Sequence, residues 1–328
     1  MKLSITKPGP ALSAAAAICL GLISAPAMTQ APDKYPSRPL TIYIPFGAGS
    51  SSDIGVRQMA GKMQPKFGQP IIVEARPGAQ ATIAPAVLLR AKPDGYSIMY
   101  GTTSSLATAP SMVKNLTYDP VKDFSGITLV AEQYFVLLTR NEYKGMSFPQ
   151  FLERMRKEPE KFPVGGQSGA YETLNNMIRE SAKLTHTFVP YKEVGQMMSD
   201  LWGGRLGSAI VVLNLGLPAM KGGQGHIVAL SSRERSPAIP DTPLMQETLP
   251  GVQINAWTGY FAQAKTPRPI ITTLHAMITE VGKDPEVNKR NAEGGRALFT
   301  TPEETDAYVR KEVPRWTALM KAAGIQPE

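Results

Sequence analysis

The 328-residue chain contains one cysteine and three histidines. The cysteine, Cys19, sits in an alanine-rich apolar run from Ala11 to Ile23, which follows Lys2 and Lys7 and ends at Ala25-Pro26-Ala27. A basic start, an apolar middle and a small-x-small end make up a cleavable secretory signal peptide. The run is shorter than the roughly 20 apolar residues needed to span a bilayer, and glycine interrupts it. Cleavage after residue 27 leaves no cysteine, which excludes disulfides and thiolate metal sites and makes the hydrophobic core the source of stability. The expected location is the bacterial periplasm.

His186, His226 and His275 each stand alone, with no metal-ligating partner three or four residues away, so neither a metal nor a cofactor is expected. Clustered positive charge is also missing. Loss of residues 1–27 removes two lysines and no acids, taking the net charge from +8 to +6. The remaining basic residues are scattered or mixed with acids, as in Arg154-Met155-Arg156-Lys157-Glu158. Nucleic-acid binding leaves a concentrated basic footprint, and none is present. A small anion suits the mild positive excess better.

Phosphate and nucleotide motifs fail in detail. Residues 47–52 lack the third glycine of a dinucleotide fingerprint, and no Gly-Lys-Ser/Thr ending completes a phosphate loop. Gly166-Gln167-Ser168-Gly169-Ala170 is one position out of register for a nucleophile elbow. A secreted hydrolase with Ser168 as nucleophile and one histidine as base is the alternative reading from another class.

What the chain does have is alternation. Leu40–Ile44 reads as a strand, and Val56, Met59, Ala60, Met63 and Phe67 recur at helical spacing. Ile71–Val73, a helix over 82–91 and a strand at 96–100 follow. The middle repeats the pattern with strands at 135–139, around Val164, and at 186–189, 209–213 and 227–230. Ser147-Phe148-Pro149-Gln150 opens a helix there with a capping box. The last part has a strand at 259–262 and helices from Pro269, Asp284 and Thr301-Pro302-Glu303-Glu304. This predicts an α/β fold with mostly parallel sheets. The length points to two domains, one from 28–132 plus 255–328 and the other from 133–254.

Three strands end in glycine and hydroxyl residues: Gly47–Ser52, Gly101–Ser105 and Gly165–Gly169. In open α/β sheets ligands sit beyond the carboxyl ends of strands, where helix N-termini offer free N–H groups and partial positive charge. Backbone amides and hydroxyls can therefore hold a carboxylate without arginine. Each loop alone reads first as a tight turn with a helix cap, and it is the three together, on both expected domains, that point to a site; Asp53 shows the tension between capping and ligand contact.

The stretches "YPSRPLTIYIPFGAGSSSDIGVR" (35–57), "KPDGYSIMYGTTSSLATAPSM" (92–112), "LTYDPVKDFSGITLV" (116–130), "VPYKEVGQMMSDLWGGRL" (189–206), "RSPAIPDTP" (235–243) and "GYFAQAKTP" (259–267) follow in order along the mature chain. Together they resemble the Bug-type (TctC-like) extracytoplasmic solute receptors of tripartite tricarboxylate transporters. The resemblance implies a type II-like, two-domain periplasmic binding-protein fold of the Venus flytrap kind. It implies a monomer that binds a small carboxylate and serves membrane transporter components, without catalysis. The implied ligand-binding residues are Phe46, Ala48, Gly49, Ser50, Ser51, Ser52 and Asp53 on the first loop and Thr102, Thr103 and Ser104 on the second. Gln167, Ser168, Tyr171, Tyr191, Glu193 and Val211 complete the set. Two departures stand out: Glu193 replaces the glycine common after "VPYK", and Val211 lies where the family often carries aspartates. A valine in the cleft would favour an aromatic or dicarboxylate ligand over an amino acid, whereas a valine in the sheet core would carry no such meaning.

Overall fold

The computed structural model describes residues 35–167 and 169–327; the predicted signal segment and Ser168 lie outside them. The strands are β1 (Leu40–Ile44), β2 (Ile71–Ala75), β3 (Ser97–Thr102), β4 (Phe124–Arg140), β5 (Val164–Gly166), β6 (Phe188–Pro190), β7 (Ser208–Val212), β8 (Gly225–Leu230), β9 (Asn255–Gln263) and β10 (Gly295–Ala297). They run side by side as β2-β1-β3-β9-β4-β7-β5-β6, with β8 and β10 also pairing to β4.

β4 organises this sheet. Its residues 124–134 pair with β9, and 131–133 also with β10, whereas 135–139 pair with β7 and 136–140 with β8. The strand changes partners at Tyr134 and Phe135. The sheet is mixed: β1 pairs in parallel with β2 and β3, and β5 with β6 and β7, but every pairing of β4 is antiparallel, as is β3 with β9. The expectation of mostly parallel sheets is corrected at these central strands, where a chain crossing between halves of a sheet need not follow the parallel crossover rule. Residues 124–134 were not read as strand, because Glu132 and Gln133 interrupt the apolar run.

Helices cover the sheet for the reasons the spacing gave. Ser51–Phe67 buries Val56, Met59, Ala60, Met63 and Phe67, and it ends at Gly68, whose φ of 71° is left-handed and whose N–H returns to Gln64 O. Of these, Val56, Met59, Met63 and Phe67 pack with β1, β3 and the helix Arg268–Gly282. The helix Phe148–Lys157 starts at the expected capping box of Ser147 and Gln150, and Pro302–Ala322 at that of Thr301 and Glu304.

Candidate functional site

Strand ends and helix starts meet where β4 changes partners. The turn after β1 leads into the helix Ser51–Phe67, capped by Ser50, whose Oγ accepts from Asp53 N at 3.1 Å. The hydroxyl run expected as a loop is instead the end of β3 followed by a wide helical segment, Thr103–Thr108. Thr102 and Ser105 form a reciprocal capping box there, with Thr102 N donating to Ser105 Oγ at 2.9 Å. The hydroxyl of Ser105 is thus committed to the fold. That of Thr103 accepts from Trp257 N at 2.7 Å and ties the segment to β9.

These pieces enclose a cavity. Phe46, Ser50, Ser51, Ser52, Thr102, Thr103 and Ser104 line one side; Gln167, Tyr171, Val194, Met197, Val211, Val212 and Leu215 line the other; Gln133, Phe135, Ala256, Trp257 and Thr258 of β4 and β9 form the floor. None of the lining residues is charged. First-turn residues of five helical segments reach it: Ser51 and Ser52, Thr103 and Ser104, Tyr171, Val194, and Leu215. The first N–H groups of a helix have no partner within it, and the summed peptide dipoles place a partial positive charge there. The cavity therefore has positive potential from backbone alone, next to apolar and aromatic walls. Trp257 adds a buried indole Nε1 with no acceptor among the described residues. An anion with an apolar body matches those donors.

The walls stand close together. The cavity volume is about 20 Å³, room for about one water molecule. Ser51 Oγ donates to Asn214 Oδ1 at 2.8 Å, joining the helix after β1 to the helix after β7. At Gly169, with φ of 75°, a Cβ would lie 2.8 Å from Thr108 Oγ1 and 3.0 Å from Ser104 Oγ, so this approach needs glycine. The carboxylate of Glu193 rests against Gly47 in the same way.

The predicted site residues divide accordingly. Phe46, Ser50, Ser51, Ser52, Thr102, Thr103, Ser104, Gln167, Tyr171 and Val211 come together on the cavity wall. Tyr191 borders an adjoining hollow, and its hydroxyl donates to Asp200 Oδ2 at 2.8 Å. Ala48, Gly49, Asp53 and Glu193 are not on the wall of the cavity. Asp53 is buried, accepts from Gly49 N at 3.0 Å and pairs with Arg57 Nε at 2.7 Å, which is the work of a helix cap. Val211 is 1 % exposed, packs in the core with Val136 and Leu217, and also forms part of the cavity wall. The sequence reading missed Gln133, Phe135, Trp257, Met197 and Leu215. The polar pair Glu132-Gln133 within the apolar residues of β4 was the available signal for the first two.

The pattern of the tripartite tricarboxylate transporter family receptor (TctC) matches residues 55–325, and the chain belongs to this family. It is 30 % identical over 315 residues to the UPF0065 protein in the TAR-I ttuE-ttuC' intergenic region of Agrobacterium vitis, covering 94 % of this chain and 91 % of that one. It is 26 % identical to protein BugT of Bordetella pertussis, covering 94 % and 97 %. Among solved structures it resembles the periplasmic binding protein BugD, with a TM-score of 0.83 and 29 % identity over 90 % of this chain and all of that one. It also resembles MatC from Rhodopseudomonas palustris with bound malate, with a TM-score of 0.79 and 28 % identity over 87 % and 99 %. A further R. palustris protein, solved with adipate, has a TM-score of 0.83 and 25 % identity over 90 % and 100 %. The chain has the periplasmic binding-protein fold, and its family is one of solute receptors of tripartite transporters, proteins of the periplasm rather than enzymes.

Proposed function

We propose that this protein is exported with removal of residues 1–27 and works as a monomeric receptor. It binds a small organic carboxylate between two lobes, 28–132 plus 255–328 and 133–254, and presents it to membrane components of a tripartite tricarboxylate-type transporter. The convergence of five helix starts on an uncharged, hydroxyl-lined cavity carries this reading. A carboxylate takes its hydrogen bonds from Ser50, Ser52 and Ser104 hydroxyls and first-turn N–H groups, and the ligand is released unchanged. The malate and adipate of two structural relatives support the ligand class.

The preferred ligand is aromatic or a dicarboxylate rather than an amino acid. Phe135, Tyr171, Val211 and Trp257 offer apolar surface, and no wall residue is an acid that could pair with an ammonium. Because the cavity takes about one water, ligand entry requires the lobes to part, and binding shifts the population back toward the closed form.

Titration calorimetry against aliphatic and aromatic mono- and dicarboxylates, with aspartate and glutamate as controls, tests this. Binding of a carboxylate that is recovered intact, together with a higher melting temperature, is the expected result. Binding of aspartate or glutamate alone would refute the preference, turnover of an ester substrate that requires Ser168 would favour the hydrolase, and a scattering profile unchanged by saturating ligand would refute closure.

A further inference from the structure

Phe46 and Gln167 have two sides. Inward they wall the donor-lined cavity; outward they wall a second hollow of about 290 Å³, more than ten times the inner volume. In this closed arrangement the space for the body of a ligand therefore lies in the outer hollow.

Its chemistry differs from that of the inner cavity. Pro45, Pro77 and Pro190 supply flat apolar walls, and Tyr191, whose hydroxyl is committed to Asp200, offers its ring. Lys192 is the single charged residue on the wall. It is exposed and has no ion-pair partner among the described residues, while the neighbouring Glu193 carboxylate is placed against Gly47.

The outer rim is a strap in an unusual conformation. Ala79, Gln80 and Ala81 follow one another at φ of 45°, 57° and 68°, and Gln80 Oε1 is buried with no partner among the described residues. L-residues avoid consecutive left-handed positions, and such outliers collect where a ligand or partner is engaged. An amide also presents donors or an acceptor depending on which way round it lies, so Gln80 can meet either kind of group.

We infer that the outer hollow is a second subsite of this receptor. It takes the apolar body of a ligand whose first carboxylate lies in the inner cavity, and Lys192 selects for a second acidic group at the far end. This rests on the carboxylate-receptor reading above. The strap 77–81 forms the wall against which the ligand's body packs, and the length of the ligand is set by the reach from the inner hydroxyls to Lys192.

The test compares adipate, pimelate and suberate with hexanoate, heptanoate and octanoate by calorimetry on the full mature chain and on Lys192→Gln. For at least one chain length the wild-type protein should bind the diacid more tightly than the monoacid. Lys192→Gln should weaken that diacid about fivefold, the range of a partly solvated ion pair, and leave the monoacid within twofold. The difference should shrink in 0.5 M salt. Equal losses for diacid and monoacid, or none for either, would overturn the subsite while leaving the receptor intact. No binding of any carboxylate by the wild-type protein would overturn the receptor reading and the subsite together.

Discussion

Replacing Ser50 by alanine and by glycine should separate folding from binding. Ser50 is 2 % exposed and has two jobs: its Oγ accepts from Asp53 N at 3.1 Å, and it lines the cavity with a hydroxyl proton that has no acceptor among the described residues. Alanine at an N-cap costs about 1 kcal/mol relative to serine, whereas glycine costs a few tenths. For a chain of this size that loss lowers the melting temperature by about 1–2 °C for alanine and by about half a degree or less for glycine. Binding should not follow the same order, because both variants lack the hydroxyl. A hydrogen bond to a charged group is worth about 1.5–3 kcal/mol, so each variant should bind its carboxylate roughly 10- to 100-fold more weakly. Melting curves without ligand and calorimetry with the tightest acid of the panel read the two effects separately. If the glycine variant keeps wild-type affinity while the alanine variant loses it, binding depends on the helix cap and the hydroxyl makes no contact; if both bind as wild type, the donor assignment is wrong.

Asp53→Asn should lower stability by about 1 kcal/mol through loss of the Arg57 pair and of favourable charge at the helix start, without weakening carboxylate binding, since Asp53 is off the cavity wall; a tenfold loss of affinity would place it in the site. Gly259→Ala should destabilise by about 2–3 kcal/mol, because its Cβ would lie 2.6 Å from Thr128 O where β9 crosses β4, while Gly47→Ala meets only the movable end of Glu193 and should cost far less; equal melting temperatures would refute the distinction. His186 is buried, its Nε2 donates to Asn175 Oδ1 at 2.9 Å, and burial, reinforced by the charge of Arg179, lowers its pKa to about 4. The unfolded chain takes up this proton first as pH falls below about 6.5, so the contribution of His186 should be constant above that pH and should lower stability by about 2–3 kcal/mol by pH 4.5. Urea unfolding of His186→Gln should show a flatter acid limb, and an unchanged slope would refute the assignment.

Legibility in the sequence followed how local each signal was. Ser50–Ser52 and Thr102–Ser104 were visible because glycine and hydroxyl residues directly after apolar runs mark strand ends without reference to the rest of the chain. Gln167 and Tyr171 were found through the same kind of loop. Leu215 and Met197 were not, since the starts of their helices carry no cap residue and read as ordinary apolar periodicity. Gln133, Phe135 and Trp257 belong to β4 and β9, and alternation along a strand says which residues share a face but not whether that face meets a cavity or the core. The antiparallel centre of the sheet was hidden for a similar reason, because strand direction depends on partners far away in the chain.

If the cavity receives a carboxylate as proposed, the absence of charge on its wall places specificity in particular residues. Five helix starts hold their N–H groups in place through the fold, so no long side chain has to be ordered when an acid arrives and no buried cation is left unpaired when it leaves. Those donors come from the main chain, and side-chain substitution leaves them where they are. On that proposal any carboxylate of suitable shape would use them equally, and they would confer affinity with little discrimination. Discrimination must then come from what surrounds the head group: the rings of Phe135 and Tyr171, the methyls of Val211, and Lys192 in the outer hollow. Substitutions at these positions should change which acid binds while leaving the capacity to bind acids intact. Val211→Asp is the sharpest case, because it sets a carboxylate beside a cavity built for one and should favour a ligand bearing an ammonium group. If Val211→Asp folds, loses every organic acid and gains no amino acid, the division between a general head-group cage and selective walls is wrong.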